Sequence, residues 1–342
     1  MELFRLLIIS LSIFFFINYF TNKYGLLLDN KKSSSHKVFI DKNSNPPFTG
    51  GTFILFSLLF FIPNIEINLK IFILLIFISG LFSDIGILKS VKIRFFIQSI
   101  LVFLAVSVLN KYVNSVGWSI FNHFLINNFF SLLFTSFCIL IVINGTNFID
   151  GLNTIVIGYY LIVLICISAF FKNNDLLLVG EQTIIFFSII LFSLLILNSL
   201  NLLYLGDNGA YILAFFVSII LIDLSANFKY LSPFYIVNLL WYPAYETLFS
   251  IIRKSKHKKS VSMPDNLHLH QLVYKKIKDQ LNFNSKIMNT LSGIIINIFN
   301  LSVLILATQN YSNSTYQIIL LLFSVTLYNL VYIVLKKNLK IS

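Results

Sequence analysis

The sequence has little charge and few cysteines for its length. Of its 342 residues only 11% are charged, with 13 acidic residues and 2 cysteines. Soluble domains carry about 25% charged residues, so the low charge excludes an ordinary soluble domain. Cys138 and Cys166 lie inside apolar runs with no metal-binding or redox spacing. They are interpreted as small core or lipid-facing residues, and they indicate no compartment.

Long apolar runs make up most of the sequence. Hydrophobic residues make up 57% of the chain, 37 of them phenylalanine, and the mean hydropathy is +0.86. The first run, residues 3–20, is too long for the apolar core of a signal peptide and is followed by no small-residue cleavage site. It is therefore predicted to be an uncleaved membrane-spanning helix.

A membrane span needs roughly 20 predominantly apolar residues. By this rule the sequence predicts an all-α, polytopic helical bundle with about eleven spans, forming one membrane-embedded domain over residues 1–342. The predicted spans are 3–20, 52–68, 69–83, 95–110, 128–144, 154–171, 183–200, 210–223, 232–250, 288–307 and 316–335. Residues 253–286 are predicted to be a basic cytoplasmic loop.

The distribution of lysine and arginine predicts the orientation. All but five of the 25 Lys and Arg residues fall in the loops on one side of this arrangement. Cytoplasmic loops carry the excess of positive charge, so the N-terminus is predicted outside and the C-terminus inside. The net charge of +12 then suits an anionic inner leaflet or a phosphorylated substrate, and no nucleic-acid partner is expected.

Four polar segments between the apolar runs fall on this same predicted cytoplasmic side. The first, residues 83–94, contains Asp84, Lys92 and Arg94. Charged residues at the end of a span can have a functional role. They can also be interfacial residues whose long side chains reach the lipid headgroups. The segment alone favours neither interpretation.

The second segment, residues 144–153, contains Asn144, Asn147 and Asp150 at a spacing of three, followed by glycine. This spacing places the polar side chains on one face of a helix end, where they can bind a ribose or uracil and assist a metal ion. An ordinary Asn/Gly turn is the alternative, although three polar residues beside an apolar run are costly unless they are used.

The third segment carries Asp207 between Gly206 and Gly209. Glycines permit close approach of a backbone or a phosphate, and a carboxylate in an open loop suits Mg²⁺. Tyr204 could stack on a base, but tyrosines at membrane interfaces are more often belt residues.

The fourth segment contains His268 and His270. A lone His-x-His pair is weak evidence for zinc, which requires further ligands, and in a lysine-rich segment the pair is better interpreted as donors to a phosphate. Lys254, with its neighbouring lysines, is interpreted as a solvated run facing lipid headgroups. Glu246 lies inside a predicted span and is interpreted as a buried structural acid.

Together these segments resemble the polyprenyl-phosphate N-acetylhexosamine-1-phosphate transferases, a family that includes phospho-MurNAc-pentapeptide translocase. The resemblance extends over about residues 31–277, and its most specific stretches are 144–152, 203–210 and 242–253, continuing to 264–265 and 268–270. Ser83 stands where the family has a second acid, and Phe48, Ala210 and Gln271 also depart from its pattern.

The resemblance implies catalytic roles for Asp84, Asp150 and Asp207, with Mg²⁺ (Mn²⁺ as the alternative) on Asp207. It implies that Asn147 and Asp150 lie near the nucleotide. The implied substrate-binding residues are Lys92, Arg94, Asn144, Asn147, Tyr204, Arg253, His268 and His270.

The function implied is transfer of an N-acetylhexosamine 1-phosphate from a UDP-sugar to undecaprenyl phosphate, with release of UMP. It would initiate a cell-envelope glycan such as O-antigen at the cytoplasmic face of the bacterial inner membrane. Membrane lipids are expected partners, and a homodimer is compatible. The alternatives are a catalytically impaired or scaffolding relative, and a transporter or flippase, because acids within membranes also mark transport paths.

Overall fold

The computed structural model describes residues 2–25, 27, 46–62, 65–173, 179–256, 267–281 and 283–339. These residues form α-helices and no β-strand, which confirms the predicted all-α class. The helices are α1 (Glu2–Tyr24), α2 (Gly50–Phe60), α3 (Ile67–Asp84), α4 (Val91–Leu109), α5 (Ser119–Leu125), α6 (Asn128–Ile149), α7 (Ile155–Asn173), α8 (Val179–Ser199), α9 (Gly206–Asn227), α10 (Pro233–Leu239), α11 (Trp241–Lys256), α12 (Leu269–Gln280), α13 (Ser285–Gln309) and α14 (Ser314–Asn338).

Seven helices in the described part of the chain are long and apolar enough to cross a membrane: α3, α4, α6, α8, α9, α13 and α14. Two shorter apolar helices, α2 and the segment 155–171 of α7, accompany them. The chain is thus a multi-pass membrane protein. The total of eleven spans and the orientation of the termini stay predictions.

Helix α9 is the centre of the bundle. In its most apolar 18-residue window 78% of the residues are buried, against 22% in the corresponding windows of α4 and α14. Helices α2, α3 and α6 pack directly against it. Gly51 and Gly80 allow this close approach, because a Cβ at either position would lie within 2.5 Å of Asn208. Small residues at helix contacts are the usual means of close packing in membranes.

Several predicted boundaries are wrong. The predicted span 52–68 contains an 11-residue helix, α2, that ends at Phe60, close ahead of Pro63 in the sequence; helices usually end before the residue preceding a proline. The described part of segment 253–286 is largely helical, because α11 continues to Lys256 and α12 follows, and its cytoplasmic position stays a prediction. Residues 257–266 and 282 lie outside the described residues. The short helix α5 was not predicted.

The predicted span 232–250 is two helices, α10 and α11, that meet at Leu240. Pro243 explains the break, because proline has no N–H to donate to the carbonyl four residues earlier, and its ring clashes with that carbonyl. That carbonyl belongs to Leu239, and it accepts a hydrogen bond of 2.9 Å from the hydroxyl of Tyr159 on α7. A side chain of a neighbouring helix thus replaces the missing backbone donor, as broken helices in membranes require.

We expect Tyr159→Phe to destabilise the helix break. The substitution leaves the Leu239 carbonyl buried without its donor, at a cost of about 1–3 kcal/mol. The measurement is the melting temperature of the detergent-solubilised protein. Tyr19→Phe, the same change at a residue that is 62% exposed, is the matched control and should leave the melting temperature unchanged. Equal effects of the two changes would contradict this account.

Candidate active site

The site forms at one end of the bundle, where the C-terminal ends of α3 and α6 meet the N-terminal ends of α4 and α9. Asp207, in the first turn of α9, is its central residue. Its Oδ1 accepts a hydrogen bond of 2.8 Å from the Asn147 amide. Its Oδ2 accepts from the Ser83 hydroxyl at 2.5 Å and from the Arg94 guanidinium at 2.9 Å. Three polar segments that are distant in sequence thus meet around one carboxylate.

Asp84 holds the N-terminus of α9 in place. Its Oδ1 accepts from the backbone N–H of Asp207 at 2.9 Å, and its Oδ2 accepts from the backbone N–H of Asn208 at 3.1 Å. The first N–H groups of a helix have no partner within the helix, and a carboxylate there also interacts favourably with the helix dipole. Asp84 therefore orients Asp207 through the backbone rather than through its side chain.

The glycines beside Asp207 make room for protein groups rather than for a ligand. Gly206 has a φ of +78°, which favours glycine, and a Cβ there would lie 2.8 Å from the Asp84 carboxylate. A Cβ at Gly209 would lie 2.4 Å from a methyl group of Leu205. Of the two predicted uses of these glycines, close approach of a backbone or of a phosphate, the contacts show close approach of protein groups, in the capping contact and in the helix packing.

Ser83 and Arg94 form a hydrogen-bonded group with Asp207. The guanidinium donates to the Ser83 oxygen at 2.6 Å as well as to the carboxylate. The Arg94 and Asp207 side chains are each 24% exposed, so this ion pair is accessible to a ligand. Lys92, on the same helix, is exposed, and no described contact joins it to the group.

The end of α6 connects Asp207 to the remaining predicted residues. Asn147 reaches Asp207, whereas Asn144 donates at 2.8 Å to the Leu140 carbonyl of its own helix. Asp150 follows the last turn and lines a cavity of about 30 Å³ together with Tyr204. That volume holds roughly one or two water molecules. The Tyr204 ring packs against Phe48, with 5.9 Å between centroids.

An asparagine cluster holds the segment that follows Asp150. The backbone N–H of Asn153 donates to Asn289 at 2.6 Å, and that of Thr154 donates to Asn198 at 2.6 Å. The Asn153 side chain donates to Asn201, also at 2.6 Å. These residues had not been singled out in the sequence, although polar side chains inside apolar runs are a signal that could have identified them.

His268 and His270 lie against the end of α6 at the start of α12. The ring of His268 packs on Phe148 at 5.5 Å and is stacked on His270 at 5.6 Å. His270 is fully buried, and a Cβ at Gly151 would lie 2.5 Å from its Nε2. Burial lowers the pKa of His270 to about 3, so this ring is neutral at neutral pH and cannot contribute a positive charge.

Two further residues, Arg253 and Lys254, behave differently from their interpretation in the sequence, and Glu246 behaves as expected. Arg253 is buried and donates to the Leu267 carbonyl at 2.5 Å and to the Tyr332 hydroxyl at 3.2 Å, so it joins α11 and α14 to the segment before α12. Lys254 is 5% exposed, with its ammonium over the Phe148 ring, and is not solvated. Glu246 is buried, as expected, and is bonded to His268.

The donor atoms suit a magnesium ion better than a zinc ion. The described residues contain no group of three or more His, Cys, Asp or Glu side chains able to hold a metal. Mg²⁺ requires less from the protein, because it binds through one or two carboxylates and takes its other ligands from water and substrate phosphates. Asp207, accessible and beside the Asn147 amide, supplies such a carboxylate. Asp84 is occupied by backbone N–H groups.

Comparisons with known proteins agree with this geometry. Residues 67–225 match the family described as glycosyl transferase family 4. The chain is 28% identical to a phospho-N-acetylmuramoyl-pentapeptide-transferase of Prochlorococcus marinus (strain MIT 9312), over 84% of this chain and 89% of the relative. It is 24% identical to an undecaprenyl-phosphate alpha-N-acetylglucosaminyl 1-phosphate transferase of Yersinia pestis, over 80% and 76%.

A probable undecaprenyl-phosphate N-acetylglucosaminyl 1-phosphate transferase of Bacillus subtilis (strain 168) matches 38% of this chain at 28% identity, over 36% of its own length. The helical fold, the site at one end of the bundle and these relatives define an enzyme of the glycosyl-1-phosphate transferase class. The resemblance found in the sequence is thus confirmed by the match to glycosyl transferase family 4 over residues 67–225 and by these relatives.

We expect Asp84→Asn to reduce both stability and turnover. Asparagine offers one acceptor oxygen where Asp84 uses two, and loss of a helix N-terminal cap costs about 1–2 kcal/mol. The measurements are the melting temperature and the rate of nucleotide release. Asp223→Asn changes an acid at the opposite end of α9, where it pairs with Lys111, and should leave turnover near that of the wild type. Full turnover in Asp84→Asn would contradict the capping role.

Proposed function

We propose that this enzyme transfers an N-acetylhexosamine 1-phosphate from a UDP-sugar to undecaprenyl phosphate and releases UMP. The observation that carries the proposal is the convergence of Asp84, Arg94, Asn147 and Asp207 at one end of a membrane bundle. The names of two relatives include undecaprenyl phosphate as a substrate and N-acetylglucosaminyl 1-phosphate as the transferred group. An end-of-bundle site suits a lipid acceptor and a soluble donor.

The reaction exchanges one phosphoanhydride for another, so its main difficulty is bringing two anions together. Arg94 supplies a fixed positive charge at the point where Asp207 is exposed, and a guanidinium matches phosphate geometry well. His270 is neutral and would act as a hydrogen-bonding group only. Charge neutralisation therefore depends on Arg94 and on a bound divalent cation.

A general base is not required for direct displacement. A phosphate monoester has a second pKa of about 6 and is mostly dianionic at neutral pH. The acceptor oxygen can therefore attack the β-phosphorus in line, with UMP as the leaving group. A two-step route through an acid at position 83 is not open to this chain, because the residue there is Ser83, whose hydroxyl donates to Asp207.

Mg²⁺ is the proposed cofactor and Asp207 its proposed protein ligand, with Mn²⁺ as the alternative ion. A bound divalent cation would lower the charge on the diphosphate and on the departing UMP. Asn147, Ser83 and Arg94 hold the Asp207 carboxylate in one orientation, and a metal ion would bind to it in that orientation.

The nucleotide is proposed to bind at the end of α6. Asp150 and Tyr204 line the same small cavity, and they offer hydrogen-bond acceptors and an aromatic face. Asn147, three residues before Asp150, donates to Asp207. The proposed position of the diphosphate is between Asp207 and His268. We propose that this end of the bundle faces the cytoplasm of a bacterial inner membrane, where the enzyme would initiate a glycan such as O-antigen.

The main alternative is a catalytically impaired member of the same family, which Ser83 favours because it replaces an acid. A transporter is a weaker alternative, since transporter sites lie near the bilayer midplane and the Asp207 group lies at the helix ends. Donors carrying GlcNAc, QuiNAc or FucNAc are compatible with the site, and a panel of these UDP-sugars would identify the substrate.

We expect membranes containing the protein to release UMP from a UDP-N-acetylhexosamine when undecaprenyl phosphate and Mg²⁺ are present. Asp207→Ala should lower the rate at least 100-fold, because it removes the metal ligand and leaves Arg94 without its partner. Asp223→Ala, the same change on the same helix, should retain activity. Equal rates for Asp207→Ala and the wild type would refute the proposed function.

We also expect activity to disappear on treatment with EDTA and to return on addition of Mg²⁺. Because the oxygen donors of Asp207 are hard ligands, Mn²⁺ should substitute whereas Zn²⁺ should not. The measurement is a titration of the UMP release rate against each free metal concentration. Unchanged activity after chelation would exclude the metal-assisted mechanism while leaving the transfer reaction itself in place.

A further inference from the structure

Glu246 is a fully buried acid on α11 whose two oxygens are both bonded. Its Oε1 lies 2.8 Å from Nδ1 of His268, and its Oε2 accepts a hydrogen bond of 2.6 Å from the Tyr328 hydroxyl on α14. An ionised carboxylate is an acceptor at both oxygens, and this pattern fits that state. Burying a charge without partners is costly. The two hydrogen bonds of Glu246 offset this cost.

The contact determines which ring nitrogen of His268 carries a proton. Because a carboxylate oxygen accepts, Nδ1 must be the donor, and the second nitrogen, Nε2, is then oriented away from Glu246. Glu246 therefore fixes the direction of the ring and the donor role of Nδ1.

The ring is held at the catalytic end of the bundle. It packs on Phe148, which directly follows Asn147, the residue that donates to Asp207. His268 is also the N-terminal cap of α12, and its backbone N–H donates to the Gln271 side chain at 3.2 Å. Backbone and ring are both fixed, so a change at Glu246 would alter the direction of Nε2 without moving the start of α12.

We propose that Glu246 is a positioning residue that acts through His268, holding its ring at the position proposed for the diphosphate of the nucleotide-sugar. The role rests on the proposed function, because it needs a diphosphate donor bound beside Asp207. Glu246 itself touches no substrate. Removal of a residue that orients a binding side chain through a hydrogen bond typically lowers activity 10- to 100-fold.

A double-mutant cycle separates this role from a purely structural one. Glu246→Gln keeps the shape and removes the charge. His268→Asn keeps an N–H donor near the position of Nδ1 and removes Nε2. Each single change should lower kcat for UMP release about 10- to 100-fold, and the double variant should be no slower than His268→Asn alone. Multiplied effects in the double variant would show independent roles and overturn the proposal.

Two controls address folding. Tyr328→Phe removes the other hydrogen bond of Glu246 and leaves the Glu246–His268 pair, so its loss of activity should be clearly smaller than that of Glu246→Gln. An equal loss would indicate a packing role and overturn the proposal. If Glu246→Gln does not fold, His268→Asn decides, because it retains a donor to Glu246: wild-type activity in a stable His268→Asn protein overturns the proposal.

A spectroscopic measurement tests the pair without relying on activity. In ¹⁵N-histidine-labelled wild-type protein, the His268 ring signals, assigned by their loss in His268→Asn, should show a protonated Nδ1, and they should shift in Glu246→Gln. A His268 ring with unprotonated Nδ1 would overturn the pair even in an active enzyme. An intact pair in a protein that releases no UMP from any donor would instead refute the proposed function and, with it, the catalytic role of Glu246.

Discussion

The carboxylate of Asp84 on the N-terminus of α9 is the contact on which the rest of the site depends. It satisfies two backbone N–H groups that have no partner within the helix, and so determines where α9 begins and which way Asp207 points. The close packing of α2 and α3 at Gly51 and Gly80 fixes the same turn from the other side. Asp84, which the sequence suggests as a catalytic residue, thus has a structural role in positioning the start of α9.

Charge in the site is balanced locally. Arg94 neutralises Asp207, and Ser83 bonds to both, so the position at which the family has a second acid is occupied here by a neutral group that links a cation to a carboxylate. The second acid would have placed two negative charges side by side. With serine there, the guanidinium of Arg94 balances the charge of Asp207, and the Asp84 carboxylate faces the positive end of the α9 dipole.

The class of fold and the segments of the site could be predicted, because long apolar runs and the polar segments between them follow from the cost of burying polar groups in lipid. The break at Leu240 was missed although Pro243 signals it in the sequence. The bond between Glu246 and His268 could not be predicted, since it joins residues 22 positions apart across a helix end whose direction depends on packing. The asparagine cluster around Asn153 depends in the same way on how α8 and α13 approach.

The cavity beside Asp150 has room for about one or two water molecules, and hydrogen bonds hold it on two sides. Asn153 and Thr154 donate to Asn289 and Asn198 on one side, and on the other the Tyr204 backbone bonds to Pro47 and Gly50 while its ring packs on Phe48. Any ligand larger than water that enters here must displace part of this wall, and the free energy of that opening lowers its apparent affinity.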